Sequence, residues 1–200
     1  NISNLGITNK NRIIIYDNSD VISSCRCWYN FIYFGHDPKL VSILNGGFKK
    51  WKVEKKMTTK EIKNINKSKY QANEQKKLVK NKNQIDINIT KKEFLVVDAR
   101  SNERFKGLVP EPRNNVRSGS IENSYCLPFN ELINEDKTFK DNKQISLKFS
   151  QILRNDSHKK LVFSCGSGVT AAVLALAYSL INNKYKPSIY DGSWAEYGKI

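Results

Sequence analysis

No run of eighteen apolar residues occurs in this 200-residue chain, so its sequence offers no membrane-spanning helix. Cysteine is scarce as well. The four present, Cys25, Cys27, Cys126 and Cys165, have neither the paired spacing of a zinc site nor the density of a secreted disulfide framework. Sparse thiols of this kind point to a reducing compartment, so the expected location is cytoplasmic or mitochondrial. The C-x-C at Cys25 and Cys27 is too short for a dithiol redox motif and reads as structural. Histidine is limited to His36 and His158, both read as surface residues. Carboxylates are outnumbered, 19 against 34 lysines and arginines, for a net charge of +15.

That excess charge is localised. Residues 49–92 hold fifteen lysines against Glu54, Glu61, Glu74 and Asp86. The stretch from Lys55 to Asn83 is rich in Lys, Asn and Gln and has little apolar surface to offset the entropy of ordering it, so it reads as a solvated connector. A polybasic segment can bind phosphates, but only Trp51 and Tyr70 accompany it, and no row of stacking aromatics is present. The composition argues against nucleic-acid binding. In the later part of the segment, residues 85–89 read as a short helix, with Thr90 opening a turn.

What is present is organised around one cysteine. The apolar run Leu161-Val162-Phe163-Ser164 leads into Cys165-Gly166-Ser167-Gly168-Val169-Thr170, and an apolar helix follows from Ala171 to Ile181. Strand, tight turn and helix in this order place Cys165 at the mouth of a sheet and against a helix N-terminus. There the loop amides and the helix dipole favour negative charge on sulfur. A second cluster follows the apolar run 94–97: Asp98-Ala99-Arg100, then Glu103-Arg104-Phe105-Lys106-Gly107 and Pro110-Glu111-Pro112-Arg113. Only seven of the basic residues are arginines, yet Arg104 and Arg113 fall in one short stretch. A guanidinium meets a carboxylate through a planar fork of donors and stays charged at any relevant pH.

The chain also repeats itself. Residues 12–18 parallel 160–165, and Ile43-Leu44-Asn45-Gly46-Gly47-Phe48 parallels Ile189-Tyr190-Asp191-Gly192-Ser193-Trp194. The spacing from Asn18 to Gly46 is 28 residues and that from Cys165 to Gly192 is 27. Each copy reads strand, helix, strand, which implies a parallel sheet and an α/β fold. Asn18 is read as the counterpart of Cys165, and an amide cannot accept a sulfane sulfur, so the first copy is expected to be non-catalytic. The helix after Asn130 and the amphipathic stretch 146–153 are expected to cover the sheet.

Cys-Gly-Ser-Gly-Val-Thr-Ala resembles the active-site loop of the rhodanese-type sulfurtransferases, and within them the 3-mercaptopyruvate branch. The Arg-Phe-x-Gly and Glu-Pro-Arg elements around Arg104 and Arg113 resemble that branch too. The resemblance implies tandem rhodanese-like domains with central parallel sheets flanked by helices, the N-terminal one inactive and here incomplete. It divides the chain into 1–57 (the C-terminal part of the inactive domain), 58–83 (the lysine-rich linker) and 84–200 (the catalytic domain). It implies Cys165 as the sulfur-carrying nucleophile, Ser167 as a proton-relaying or carbonyl-binding hydroxyl, and Arg104 and Arg113 as holders of the substrate carboxylate and carbonyl. The loop Gly166, Ser167, Gly168, Val169 and Thr170 would cradle a persulfide. In the family, an aspartate and a histidine that approach the loop serine come from a segment absent here.

Thiosulfate-using members usually carry two basic residues where this chain has Gly166 and Ser167, and an acidic residue where it has Arg113. The expected donor is therefore 3-mercaptopyruvate, with a thiol such as thioredoxin, or cyanide, as acceptor. No metal, organic cofactor or membrane is implied. The related dual-specificity phosphatases end a longer loop in arginine, whereas Ala171 and Ala172 follow Thr170 here. The alternatives are a thiosulfate sulfurtransferase, a sulfur-relay donor to a tRNA- or cofactor-thiolation partner, and, in a different class, an impaired module kept for protein interaction. The chain departs from the family's Gly-His-Ile-x-Gly-Ala at Ser120 and Asn123.

Overall fold

Two parallel sheets arise from the two copies of the strand–helix–strand repeat. The computed structural model describes residues 2–61, 64–153 and 160–200. In the first copy β1 (Ile13–Ile15) pairs in parallel with β2 (Val41–Ile43) across α1 (Ser24–Tyr33), and α2 (Gly47–Val53) follows. The second sheet has the order β3-β7-β6-β4-β5, every pair parallel. Its strands are β3 (Val79–Lys80), β4 (Phe94–Asp98), β5 (Tyr125–Cys126), β6 (Lys160–Ser164) and β7 (Ile189–Tyr190). The central strands β4 and β6 are apolar over nearly their whole length and buried, as strands covered on both faces must be. Among the described residues, no helix is long and apolar enough to cross a membrane.

The covering helices are α3 (Lys82–Lys91), α4 (Asn102–Phe105), α5 (Asn142–Leu153), α6 (Ala171–Ile181) and α7 (Ser193–Tyr197). Helix α6 is apolar on all sides and buries every residue from Ala171 to Ala177, because α1 packs on one side of it and α5 on another. One hydrophobic cluster accordingly runs from Ile13, Trp28 and Tyr29 of the first copy to Phe163 and Leu174 of the second. A second cluster on the other face of the sheet joins Ile85, Phe94, Val162, Tyr190 and Trp194.

Several local expectations change. The helix expected over 85–89 runs from Lys82 to Lys91 and continues through Thr90. It starts there because Asn81 accepts the amide of Gln84 while the Gln84 side chain accepts the amide of Asn81, a reciprocal cap that the charge-based reading passed over. After Asn130 there is only a 3-10 turn, Phe129–Leu132. Asn123 sits at φ +58°, a left-handed position that asparagine tolerates in place of the family's glycine. His36 is buried, not surface: it stacks on Tyr70, its Nδ1 lies 3.2 Å from the Tyr70 hydroxyl, and its Nε2 lies 3.0 Å from the Asn11 carbonyl. His158 lies outside the described residues.

Part of the lysine-rich segment is tied down by backbone bonds. The amides of Ser68, Asn73 and Gln75 donate to the carbonyls of Ser3, Phe34 and Tyr33, and Val79–Lys80 already forms the edge strand beside β7. Its charge pattern carried no sign of this, because backbone bonds ignore side-chain polarity.

Candidate active site

Strand β6 ends at Ser164 and delivers Cys165 to the carboxyl edge of the sheet, where open α/β folds place their ligand crevice. The next turn folds back over the sulfur. The amide of Gly168 donates to Cys165 Sγ at 3.1 Å and that of Ser167 at 3.4 Å, and α6 opens four residues later. Cys165 is almost fully buried, while Ser167 is exposed at the rim and its hydroxyl bonds none of the described residues. Gly168 has φ +78°, and a Cβ there would lie 2.8 Å from Arg26 Nη1 and 2.9 Å from the Asp191 carbonyl. Gly168→Ala is therefore expected to cost about 1 kcal/mol or more in stability and to slow alkylation of Cys165. Unchanged melting and alkylation would show that the loop relaxes freely.

The floor of the loop is fixed by α7. Cys165 donates its amide to Ser193 Oγ at 3.1 Å, Ser193 Oγ donates to the Tyr190 carbonyl at 2.8 Å, and Trp194 donates its amide to the Cys165 carbonyl at 2.9 Å. Ser193 holds this place at φ +50°, matching Gly47 at φ +60° in the first copy. The repeat marked the position, but nothing in it disclosed the hydroxyl's role.

The same bonding pattern corrects the pairing of the two copies. Phe48 donates its amide to the carbonyl of Asp17, as Trp194 does to that of Cys165, so Asp17 and not Asn18 is the counterpart of the cysteine. Its carboxylate accepts the Ser24 amide and the hydroxyls of Ser19 and Ser23, each at 2.8 Å, at the start of α1.

Over the Cys165 loop stand two guanidinium groups. A Cβ placed on Gly166 would lie 3.1 Å from Arg104 Nη2 and 3.3 Å from Arg113 Nη1. The structure thus brings Cys165, Gly166, Arg104 and Arg113 together, with Ser167 beside them. Arg104 is aimed by Glu111, which accepts its Nη2 at 2.6 Å and its Nε at 3.2 Å. Glu111 in turn accepts Nη1 of Arg100 at 2.7 Å, and the buried Arg100 is paired with the buried Asp98 at 2.8 Å. Burial alone would raise the Glu111 carboxyl, but the hydrogen bond and charge of Arg104, together with Arg100, outweigh it and hold the group below its ordinary value. The sequence showed these residues but not their order of support, because Arg100, Arg104 and Glu111 meet only through the folded loop.

Three further thiols, Cys25, Cys27 and Cys126, lie elsewhere in the fold. Burial pushes Cys126 up to about 12 and raises Cys25 and Cys27 as well.

A model of the Rhodanese-like domain matches residues 2–54 and 71–199. This chain belongs to the rhodanese family. Among relatives, mouse 3-mercaptopyruvate sulfurtransferase is 34% identical over 96% of this chain and 64% of its own length. Rat thiosulfate sulfurtransferase is 35% identical over 98% of the chain and 66% of its own length. The mitochondrial thiosulfate/3-mercaptopyruvate sulfurtransferase 1 of Arabidopsis thaliana is 32% identical over 98% of the chain and 56% of its own length. The chain thus spans between about half and two thirds of the length of these rhodanese relatives. Among solved structures, the Tum1 protein of Saccharomyces cerevisiae superposes with a TM-score of 0.83 at 28% identity, covering 98% of this chain and 69% of its own. The 3-mercaptopyruvate enzyme SseA of Escherichia coli superposes with a TM-score of 0.80 at 28% identity, covering 96% and 70%.

Proposed function

We propose that this rhodanese chain transfers sulfur from 3-mercaptopyruvate, through a persulfide on Cys165, to a thiol acceptor. The observation that carries this reading is the convergence of Arg104 and Arg113 on Gly166. A basic side chain at position 166, of the kind associated with thiosulfate, would put its Cβ against both guanidinium groups. The glycine leaves that space to the arginines, which offer two planar forks to a carboxylate and an adjacent carbonyl.

With the substrate carboxylate on Arg113 and its carbonyl within reach of Arg104 and the Ser167 hydroxyl, the sulfur faces Cys165. The Cys165 thiolate attacks that sulfur, the carbon–sulfur bond breaks, and its electron pair becomes the enolate of pyruvate. The proton of the substrate thiol ends on the enolate carbon, giving pyruvate, and Cys165 keeps an anionic outer sulfur. The amides of Ser167 and Gly168, which already point at Sγ, support the charge as it moves outward by one atom. An acceptor thiolate such as that of thioredoxin then attacks the outer sulfur and restores the Cys165 thiolate. A cytoplasmic or mitochondrial setting, where thiols stay reduced, suits such a carrier.

Turnover with 3-mercaptopyruvate is expected to exceed that with thiosulfate by about tenfold or more in kcat/KM, about 1.4 kcal/mol of transition-state discrimination. Intact-mass detection of one added sulfur after mixing with each donor, with the rates compared, tests this. Equal or reversed ratios would overturn the substrate assignment.

A further inference from the structure

We infer that Arg26, carried by the non-catalytic first copy, is a positioning residue for the Cys165 loop. The inference rests on the reading of Cys165 as the nucleophile. Arg26 lies on α1, whose buried face, Cys25, Trp28, Tyr29 and Ile32, belongs to the core shared with α6. Tyr29 anchors the helix further by donating to the Leu78 carbonyl at 2.6 Å. From this fixed base the Arg26 side chain crosses to the catalytic copy. Its Nη1 donates to the Gly168 carbonyl at 3.1 Å and pairs with the Asp191 carboxylate. Its Nε donates to Asn30 Oδ1 at 3.1 Å, and the guanidinium lies 5.6 Å from the centre of the Tyr29 ring. Nε and Nη1 are thus both engaged, and one of their contacts is the loop itself.

The peptide it grips adjoins the one that donates to the sulfur. Gly168 joins two peptide planes: the one before it sends its N–H to Cys165 Sγ, and the one after it sends its C=O to Arg26. In a planar trans peptide the C=O and N–H point opposite ways, so holding the Gly168 carbonyl toward Arg26 turns the Val169 N–H away from it. Glycine at φ +78° is the softest joint in the loop, and without an external hold the two planes it joins can turn relative to one another and loosen the Gly168 N–H from the sulfur. Arg26 removes that freedom. The first copy thus performs no chemistry but supplies the cation that keeps the catalytic loop in shape.

The test compares Arg26→Ala and Arg26→Lys with the parent protein in two assays. One is the rate of Cys165 carboxamidomethylation by iodoacetamide, which needs no substrate. The other is steady-state turnover of 3-mercaptopyruvate, with active sites counted by alkylation stoichiometry. Arg26→Ala is expected to lower both the alkylation rate and kcat by about tenfold, the scale on which a small misplacement of reacting groups acts, with KM changing less than about twofold. Arg26→Lys keeps one charged donor within reach of the Gly168 carbonyl and is expected to recover kcat to within about threefold of the parent. An Arg26→Ala protein with unchanged alkylation and unchanged kcat per active site overturns the inference, and so does a loss that lysine does not restore. If alkylation depends on Arg26 while the parent protein forms no persulfide from 3-mercaptopyruvate, the positioning role stands and the substrate reading falls.

Discussion

Replacing Cys165 by serine is expected to abolish persulfide formation with any donor while leaving the fold in place. A hydroxyl fits where the thiol sits and still accepts the amides of Ser167 and Gly168, so packing changes little. A hydroxyl is a far weaker nucleophile toward sulfur than a thiolate, so the proposed route is closed. The contrast lies in the other thiols. Cys25 is fully buried on the inner face of α1, and Cys126 ends β5 with its thiol donating to the Arg100 carbonyl. Cys27 is exposed, yet burial of its thiol group still raises its pKa. Changing Cys27 or Cys126 to serine is expected to leave the added-sulfur peak intact by mass spectrometry. A persulfide surviving in Cys165→Ser, or lost on changing Cys27, would remove the nucleophile assignment.

Removing the arginine clamp should give the next largest effect. Arg113→Ala is expected to lower kcat/KM for 3-mercaptopyruvate by roughly 30-fold or more, from the cost of about 2 kcal/mol or above for truncating one member of a charge pair that substrate desolvates. Arg113→Lys should recover little, because the ammonium keeps the charge but not the fork. Part of the loss should fall on kcat, since a substrate held by one guanidinium presents its sulfur off the line of attack. Arg104→Ala should behave similarly and in addition leave Glu111 with one partner fewer at its buried carboxylate. Alanine variants with near-parent kinetics at both positions would reduce the arginines to surface charge.

The parts of this architecture legible in the sequence were those written in local pattern. The apolar run into Cys165 and the apolar helix after it specify β6, the loop and α6 almost residue for residue, because burial on all sides leaves an unbroken hydrophobic signal. Arg104 and Arg113 were visible as arginines in a lysine-rich chain. What the sequence could not disclose depends on partners distant along it. Arg26 looks like one more surface cation on an amphipathic helix until the fold sets it 142 positions away against Gly168. His36 looks polar and exposed until Tyr70, from a segment read as solvated, stacks on it. Spacing to the turn points to Asn18 in place of Asp17, because the first copy carries two more residues between its strand and its turn. Only the backbone bonds to Phe48 and Trp194 fix which residue ends each strand.

The locked carboxylate of Asp17 gives the two copies different standing toward anything negatively charged. In the first copy the anion is part of the chain, held by one amide and two hydroxyls at the mouth of α1. It is a receptor with its ligand permanently attached, saturated at every concentration of substrate and closed to thiol reagents. In the second copy the corresponding group is a thiol, and under the proposed mechanism its sulfur gains and loses an atom, so that bowl empties and refills. Two similar cups therefore do not compete. One is sealed and gives its rigidity, through α1, to the other.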